Sequence, residues 1–268
     1  MHRIRLIALD LDGTLLTSVR ELSAGSLEAV AEARARGVQV CLASGRALNT
    51  MLPFARQLGL AGPIVSCNGA YVLGADGEEL QHLTLPGPVR DKVLGFAAAR
   101  GLHTNLYSGG AVYFSHDGEW AELYRERTGL KEEGVVSYEA MAGMAATKVL
   151  FVDSPEAIQG HYLETSKLLV SGEAAITLSE AEYIEFLPPG VNKAVGLARV
   201  AKALFLQREE VAALGDYLND LEMLRWSGFS GAVANAQAPV LEQADLVVAS
   251  NDGGGAAEFI RAALSLDA

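Results

Sequence analysis

The stretch Ile4-Arg5-Leu6-Ile7-Ala8-Leu9-Asp10-Leu11-Asp12-Gly13-Thr14 constrains this chain more than any other: an apolar run stops at two carboxylates separated by one leucine, followed by a glycine and a hydroxyl. A short apolar run of this kind reads as a buried strand, and its acids then lie at the carboxyl end. Residues i and i+2 of a strand point to the same side, so the spacing predicts that Asp10 and Asp12 converge where Gly13 turns the chain. Carboxylates that close raise each other's pKa unless a cation sits between them, which makes a bound hard cation the economical reading. The plain alternative is a strand ending in a polar turn, for Asp and Gly are ordinary turn residues.

Beyond Thr14 the chain has a regular rhythm. Ser23 or Ser26 can cap a helix through Arg36, whose apolar positions Leu27, Val30, Ala31 and Ala35 recur at helical spacing. Val38 to Ala43 reads as a second buried strand, followed by Ser44-Gly45-Arg46, a helix from Ala47 to Leu58, and a third strand, Ile64 to Cys67, that ends in Asn68-Gly69. Strand, helix, strand, helix, strand with short connections predicts parallel crossover units, whose ligands bind at the strand carboxyl ends. Each polar cluster named so far falls at that edge.

From about Leu83 the pattern changes. A helix from Val89 to Arg100 leads into two strands, Leu102 to Tyr107 and Ala111 to Phe114, paired across Ser108-Gly109-Gly110; helices are predicted at Glu119 to Thr128 and Pro155 to Leu169, with strands at Thr147 to Val152, Ala174 to Ser179 and Tyr183 to Leu187. Hairpins mixed with helices predict an α+β unit inserted into an α/β one. Pro188-Pro189-Gly190 marks the return to a helix from Asn192 to Leu206, a strand Val211 to Leu214, the cluster Gly215-Asp216-Tyr217-Leu218-Asn219-Asp220, a helix through Trp226, a strand near Gly231 to Val233, and a last helix from Gly255 to Leu264. The expected division is residues 1–83 and 188–268 as an α/β core with a doubly wound parallel sheet, and 84–187 as the inserted α+β unit.

Charge narrows the partners. Thirty-three acids against 21 basic residues leave a net charge of -12, which argues against a nucleic-acid polymer or an anionic membrane as the main partner. An anionic substrate must then be captured locally, by a metal or a few placed cations. The leading apolar run is too short for a signal-peptide core and no stretch is long enough to span a membrane. Cys41 and Cys67 sit in apolar strands without metal-ligand spacing, as buried thiols of a cytoplasmic protein would.

The chemistry gathers at predicted strand-to-helix junctions. Asp10 and Asp12 supply carboxylates; Ser44, the Gly45 backbone and Arg46 offer donors at a helix start; Lys193 opens a helix; Asp216, Asn219 and Asp220 add oxygen ligands. Several Asp oxygens with no neighbouring His or Cys point to Mg²⁺ rather than zinc. These parts suit phosphoryl transfer, which asks for a nucleophile, a metal on the phosphoryl oxygens, cationic clamps and a proton donor. Asp is a competent covalent nucleophile through an aspartyl-phosphate.

Asp10-Leu11-Asp12-Gly13-Thr14, Ser44, Lys193 and Gly215-Asp216-Tyr217-Leu218-Asn219-Asp220 together resemble, in order and distance, the four motifs of the haloacid dehalogenase superfamily of phosphohydrolases. The insertion, with Ser44-Gly45-Arg46, Cys67-Asn68-Gly69-Ala70 and Pro188-Pro189-Gly190-Val191-Asn192-Lys193, resembles the Cof-type subgroup with the larger α+β cap. The resemblance implies a Rossmann-like core under a specificity-determining cap, acting on a small phosphorylated metabolite such as a sugar, nucleotide or cofactor phosphate. It implies that Asp10 attacks phosphorus while Asp12 protonates the leaving alcohol and later activates water. Mg²⁺ would be held by Asp10, the Asp12 carbonyl and Asp216, with Asp220 orienting a metal-bound water or Lys193. Ser44, Gly45 and Lys193 would grip the phosphoryl oxygens, and Arg46, Asn68 and Asn219 would lie near the substrate. The chain departs from the family pattern at Asn192, where Ser is common, at Ala194, where Gly is common, and at Ala234-Asn235-Ala236 in place of Gly-Asn-Ala.

Two other functions use similar parts. A phosphomutase shares the aspartyl-phosphate but returns the phosphoryl group to a hydroxyl; a signalling receiver also pairs acids, Mg²⁺, Ser/Thr and Lys, but needs about half this length and no insertion. His2, His82, His103, His116 and His161 are scattered and read as solvated or satisfied, and Asn251-Asp252-Gly253-Gly254-Gly255 as a turn. Lys148 and Glu185, on strands of the insertion, either reach substrate or form a structural salt bridge. Substrate identity and oligomeric state are not encoded in any motif here.

Overall fold

Parallel pairing on both sides of the first strand organises the fold, as a computed structural model describing residues 3–130 and 134–266 shows. In chain order the elements are β1 (Leu6–Leu9), α1 (Ala24–Ala35), β2 (Gln39–Ala43), α2 (Leu48–Gln57), β3 (Ile64–Ser66), β4 (Tyr71–Leu73) and β5 (Glu79–His82). Next come α3 (Gly87–Ala98), β6 (His103–Ser108), β7 (Ala111–Phe114), α4 (Glu119–Thr128), α5 (Tyr138–Ala142), β8 (Lys148–Val152), α6 (Pro155–Leu168), β9 (Ala175–Glu180) and β10 (Tyr183–Leu187). The chain closes with α7 (Lys193–Ala203), β11 (Val211–Gly215), α8 (Leu221–Trp226), β12 (Phe229–Val233), α9 (Ala238–Gln243), β13 (Leu246–Val248) and α10 (Gly255–Ser265).

The described residues pack as two units: one takes the chain up to Gly45, Met51–Gln81 and everything from Asn192 onward, the other Arg46–Thr50 and His82–Val191. The first is built on an eight-stranded sheet ordered β13-β12-β11-β1-β2-β3-β4-β5. From β13 to β3 every pairing is parallel, and β4 then folds back antiparallel to β3. Leu6 and Ala8 of β1 face a core shared with Leu197, Val200 and Ala201 of α7, Met223 and Leu224 of α8 and Val240 of α9. On the other face α1 and α10 pack against each other and against the strands. Ser23 caps α1 through its hydroxyl, which accepts from the Ser26 N–H at 3.0 Å.

The second unit carries a five-stranded sheet ordered β7-β6-β8-β10-β9, antiparallel throughout. One face of it, with Leu106, Val149, Phe151, Ile184 and Phe186, packs with Val93, Leu94 and Ala97 of α3, Met141 of α5 and Ile158 of α6. On the opposite face Lys148 and Glu185 are both buried and pair with each other at 2.8 Å. Of the readings open for these two, the structure shows the salt bridge.

Candidate active site

Six parallel strands end at one edge of the first unit's sheet, and the chemistry-bearing residues follow them. The register sets Leu9 of β1 beside Leu42 of β2 and Leu214 of β11, so Asp10, Ser44 and Asp216 leave the sheet at nearly one level. The Asp10 N–H donates to the Leu214 carbonyl at 3.1 Å, extending the ladder by one residue.

β1 stops at Leu9, and the chain then makes one wide turn in which the Leu15 and Leu16 amides donate to the carbonyls of Asp10 and Leu11, five residues back. Asp12 therefore lies in this turn and not on the strand, and the same-side convergence expected from strand periodicity does not apply. The two carboxylates have different neighbours: Asp10 is 5% exposed and bonds Lys193, whereas Asp12 is partly exposed with Arg20 at 3.6 Å. Gly13 closes the turn at φ +75°, and a Cβ there would stand 2.5 Å from Asp216 Oδ2, so conformation and space both require glycine. Thr14 then donates its hydroxyl to Asp216 Oδ1 at 2.6 Å.

Lys193 is the first residue of α7. Its side chain is 1% exposed, and Nζ donates to Asp10 Oδ1 and to Asp220 Oδ1, each at 2.6 Å. The Asn192 carboxamide oxygen accepts from the Val195 N–H at 2.9 Å, so asparagine does the capping work of the more common serine. Asp220 has no exposed surface; its Oδ2 accepts from the backbone N–H groups of Asp216 and Tyr217 at 3.1 Å each. With three bonds on its carboxylate, Asp220 holds the loop after β11 and the ammonium of Lys193 at once. A Cβ on Gly215 would meet the Asp220 carboxyl carbon at 2.5 Å, so β11 ends in glycine to admit this contact.

Asp10, Asp216 and Asp220 can each present a carboxylate oxygen within 4.8 Å of the others. Burial raises the Asp10 pKa well above its ordinary value; Lys193 opposes this, while Asp220 and Asp216 add to it. Burial also raises Asp216, with Asp220 adding, to about 7 against a pull down from Thr14. Lys193 is held charged by the two acids against the cost of its burial. The cluster has more negative charge than one ammonium offsets, and its donors are all carboxylate oxygens, which fits Mg²⁺. The side chain of Asp12 is not part of that cluster.

The other expected residues divide. Ser44 is buried; its N–H donates to the Val65 carbonyl at 2.8 Å and its carbonyl accepts from the Asn68 N–H at 3.0 Å. α2 begins only at Leu48, so Ser44 and Gly45 lie in a loop and not at a helix N-terminus. Asn68 has left-handed backbone at φ +51°, and its carboxamide oxygen accepts from Asn219 Nδ2 at 3.1 Å. Arg46 groups with the second unit, where its guanidinium donates to the carbonyls of Arg127 and Thr128 at the end of α4, at 2.9 and 3.0 Å.

Four supporting residues escape a reading of the sequence. Thr14 orients Asp216; Asn235, following β12, donates to the Gly13 carbonyl at 2.8 Å and accepts from the Asn251 N–H at 2.9 Å. Asn251 in turn donates to the Leu16 carbonyl at 3.0 Å, and Asp252 accepts from the Ser18 N–H at 2.8 Å. Residues 251–254 form a turn into α10, as expected, and it also pins the loop that carries Asp12. Position alone signals these residues, each standing at a strand end or a turn.

Residues 7–260 match the family model described as haloacid dehalogenase-like hydrolase. The chain is 30% identical over 283 residues to the phosphatase YwpJ of Bacillus subtilis, covering 96% of this chain and 99% of that one. It is 30% identical over 268 residues to the 5-amino-6-(5-phospho-D-ribitylamino)uracil phosphatase YitU of the same organism, covering 97% and 98%. A crystal structure of a haloacid dehalogenase-like hydrolase from Bacteroides thetaiotaomicron superposes with a TM-score of 0.86 at 28% identity, over 97% of this chain and 99% of that one.

Proposed function

The chain belongs to the haloacid dehalogenase-like hydrolases, and from that premise we propose that it is a cytoplasmic Mg²⁺-dependent phosphatase of the Cof type that frees phosphate from a small phosphorylated metabolite through an aspartyl-phosphate. The observation that carries this reading is the buried Asp10 carboxylate, bonded to Lys193 and clustered with Asp216 at the sheet edge.

In this reading Asp10 is the nucleophile. One carboxylate oxygen forms a bond to phosphorus as the bond to the leaving oxygen breaks, and the Asp12 carboxyl gives its proton to the departing alcohol. Asp12, ionised by that transfer, then takes a proton from the water that attacks the phosphoaspartate, returning Asp10 to a carboxylate and releasing inorganic phosphate. Asp12 suits proton traffic because its side chain is half-open, unlike the buried Asp10. Lys193 holds Asp10 in place with one N–H and Asp220 with another, leaving a third for a phosphoryl oxygen; Ser44 and the Gly45 amide are assigned to the remaining oxygens. Asp10, Asp216 and the Asp12 carbonyl would hold Mg²⁺, which when bound offsets the acids and the charge of the phosphoryl group. Residues 84–187 act as a cap that selects the leaving group, and Asn68 and Asn219 serve on the substrate side. Cys41 and Cys67, buried and not joined in a disulfide, suit a reducing compartment.

The test is phosphate release from a panel of sugar, nucleotide, flavin and pyridoxal phosphates with Mg²⁺, for the natural protein and Asp10→Asn. Free phosphate from at least one compound and none from the variant is expected; phosphate release by Asp10→Asn overturns the assignment. Transfer to a second hydroxyl without free phosphate would make the protein a phosphomutase.

A further inference from the structure

The acidic cluster of the first unit has one ammonium for its three carboxylates, and the whole chain carries a net charge of -12. A second anionic group on a substrate is therefore tolerated only beside a placed positive charge. Lys193 is buried and donates to Asp10 and Asp220. The described residues of the first unit hold no histidine, since His2 lies outside them and the other four belong to the second unit. Arg20 is differently placed: its guanidinium stands 3.6 Å from Asp12 Oδ1, with 34% of its own side chain and 30% of that of Asp12 exposed.

The backbone fixes that reach. Leu16 and Leu22 pair as an antiparallel bridge, the Thr17 N–H donates to the Glu21 carbonyl at 2.9 Å, and the Arg20 N–H donates to the Thr17 carbonyl at 2.8 Å. Ser18-Val19-Arg20 is thus the loop of a short hairpin. A three-residue hairpin loop ends in a left-handed residue, where glycine is the usual choice. Arg20 takes that conformation at φ +61°, at a cost glycine would avoid. The hairpin is also tied down from outside: Asp252 accepts from the Ser18 N–H at 2.8 Å, Asn251 donates to the Leu16 carbonyl at 3.0 Å and Asn235 to the Gly13 carbonyl at 2.8 Å. A side chain that makes its loop costlier, yet reaches back to the proton donor, has a use other than folding.

In the proposed reaction Asp12 gives its proton to the departing oxygen, which must come within about 3 Å of its carboxyl. The guanidinium is then within reach of groups a few bonds beyond that oxygen. At 3.6 Å its contact with Asp12 Oδ1 is charge attraction and not a hydrogen bond, whereas its planar fork of donors suits a carboxylate that accepts two bonds at once. While Asp12 holds the proton it is to give, it is neutral and does not repel a second anion. One guanidinium offsets one negative charge, so a carboxylate fits here better than a second, dianionic phosphoryl group.

We propose, resting on Asp12 as the proton donor, that Arg20 helps to select the leaving group and favours phosphate esters of small hydroxy acids, whose carboxylate lies within about three bonds of the ester oxygen. Arg20 is then a specificity-determining residue supplied by the same unit that carries Asp10 and Asp12, in addition to any choice made by residues 84–187.

Phosphonoacetate and phosphonoacetamide share a shape and differ in charge, and their P–C bond resists hydrolysis, so titration calorimetry of the full-length protein with Mg²⁺ compares them without turnover. The native protein is expected to bind phosphonoacetate about tenfold more tightly, the worth of one hydrogen bond between charged groups, and Arg20→Met to lose that preference. The kcat/KM ratio of 2-phosphoglycolate to its amide should fall about tenfold in the same variant. Should Arg20→Met fail to fold, Arg20→Gly, which suits the left-handed backbone, carries the test with the same expected losses. If neither ester yields phosphate, the phosphatase reading is what suffers, and the two phosphonates still decide the role of Arg20. No binding of either phosphonate, equal affinity for the two in the native protein, a preference that survives in the variants, or a loss shared equally by both members of a pair overturns the proposal.

Discussion

Replacing Lys193 by methionine keeps the length of the side chain and removes its charge. In the native protein the ammonium is bonded at 2.6 Å to both Asp10 and Asp220, and all three side chains are buried. Taking one partner out of a buried ion pair costs about 3–5 kcal/mol, because the remaining charge is left without compensation. Two carboxylates lose the same cation here, but proton uptake limits the total, so Lys193→Met is expected to lose about 3–5 kcal/mol at pH 8 without metal, not twice that. The pH dependence comes from the direction of the Asp10 and Asp216 shifts. An acid whose folded pKa is raised favours the folded state below its unfolded pKa and loses that contribution as pH rises through the folded value. Without Lys193 to oppose the rise, Asp10 titrates higher still, so the deficit of the variant is expected to be larger at pH 8 than at pH 5. Urea unfolding in EDTA measures it; in a Trp120→Phe background, the indole of Trp226 on α8 reports the first unit. A loss under about 1 kcal/mol at pH 8, or a deficit equal or greater at pH 5, refutes the reasoning.

Four further outcomes are expected. Gly13→Ala should cost about 1–2 kcal/mol for the left-handed backbone alone, and phosphate release should fall further because the new methyl displaces Asp216; a variant with native kcat contradicts this. Asp216 sits near pH 7 without metal, so Mg²⁺ must displace a proton from it below that pH, and affinity measured calorimetrically should weaken by up to about tenfold per pH unit below 7. Thr14→Ala removes the 2.6 Å bond that holds Asp216 down; the loss should be about 1 kcal/mol in stability, with the onset of Mg²⁺ weakening moved to higher pH. Burial pushes the Cys41 thiol up to about 12, so iodoacetamide at pH 8 should leave its peptide unlabelled in the folded protein and label it in urea.

The extent to which sequence alone located these elements depends on their physics. β7, α4 and β10 fall at the residues read from periodicity and turn chemistry, for each is bounded by glycine or proline or by a charged turn. β4 and β13, at three residues each, and α9, at six, are too short to show a period, and β5 carries Glu79, Gln81 and His82, which do not read as a strand. The sheet is doubly wound and parallel through β3, as expected, with β4 and β5 extending one edge. In the site, the types of Asp10, Lys193 and Asp216 were legible in the motifs, but Lys193 meets Asp10 across 183 residues, a closure that spacing alone does not specify. Asp12 was placed by a period of two that ends one residue too early. The resemblance sets Arg46 near substrate, and no local pattern signals that its guanidinium donates to the last carbonyls of α4. Thr14, Asn235 and Asn251 act by holding loops, and no local pattern distinguishes such residues from ordinary turn formers.

The assignment of Asp10 as nucleophile is tested most directly by finding the phosphoryl group itself. Asp12→Asn lacks the base that activates water, and p-nitrophenyl phosphate needs no proton on its leaving group, so this pair should accumulate the phosphoenzyme with Mg²⁺ present. After acid quench and tryptic digestion, the mass of one phosphoryl group is predicted on the peptide from Leu6 to Arg20, located at Asp10 and absent when Asp10→Asn is added. A phosphoryl group on any other peptide, or a stoichiometric burst of nitrophenol with no labelled peptide, would contradict the account.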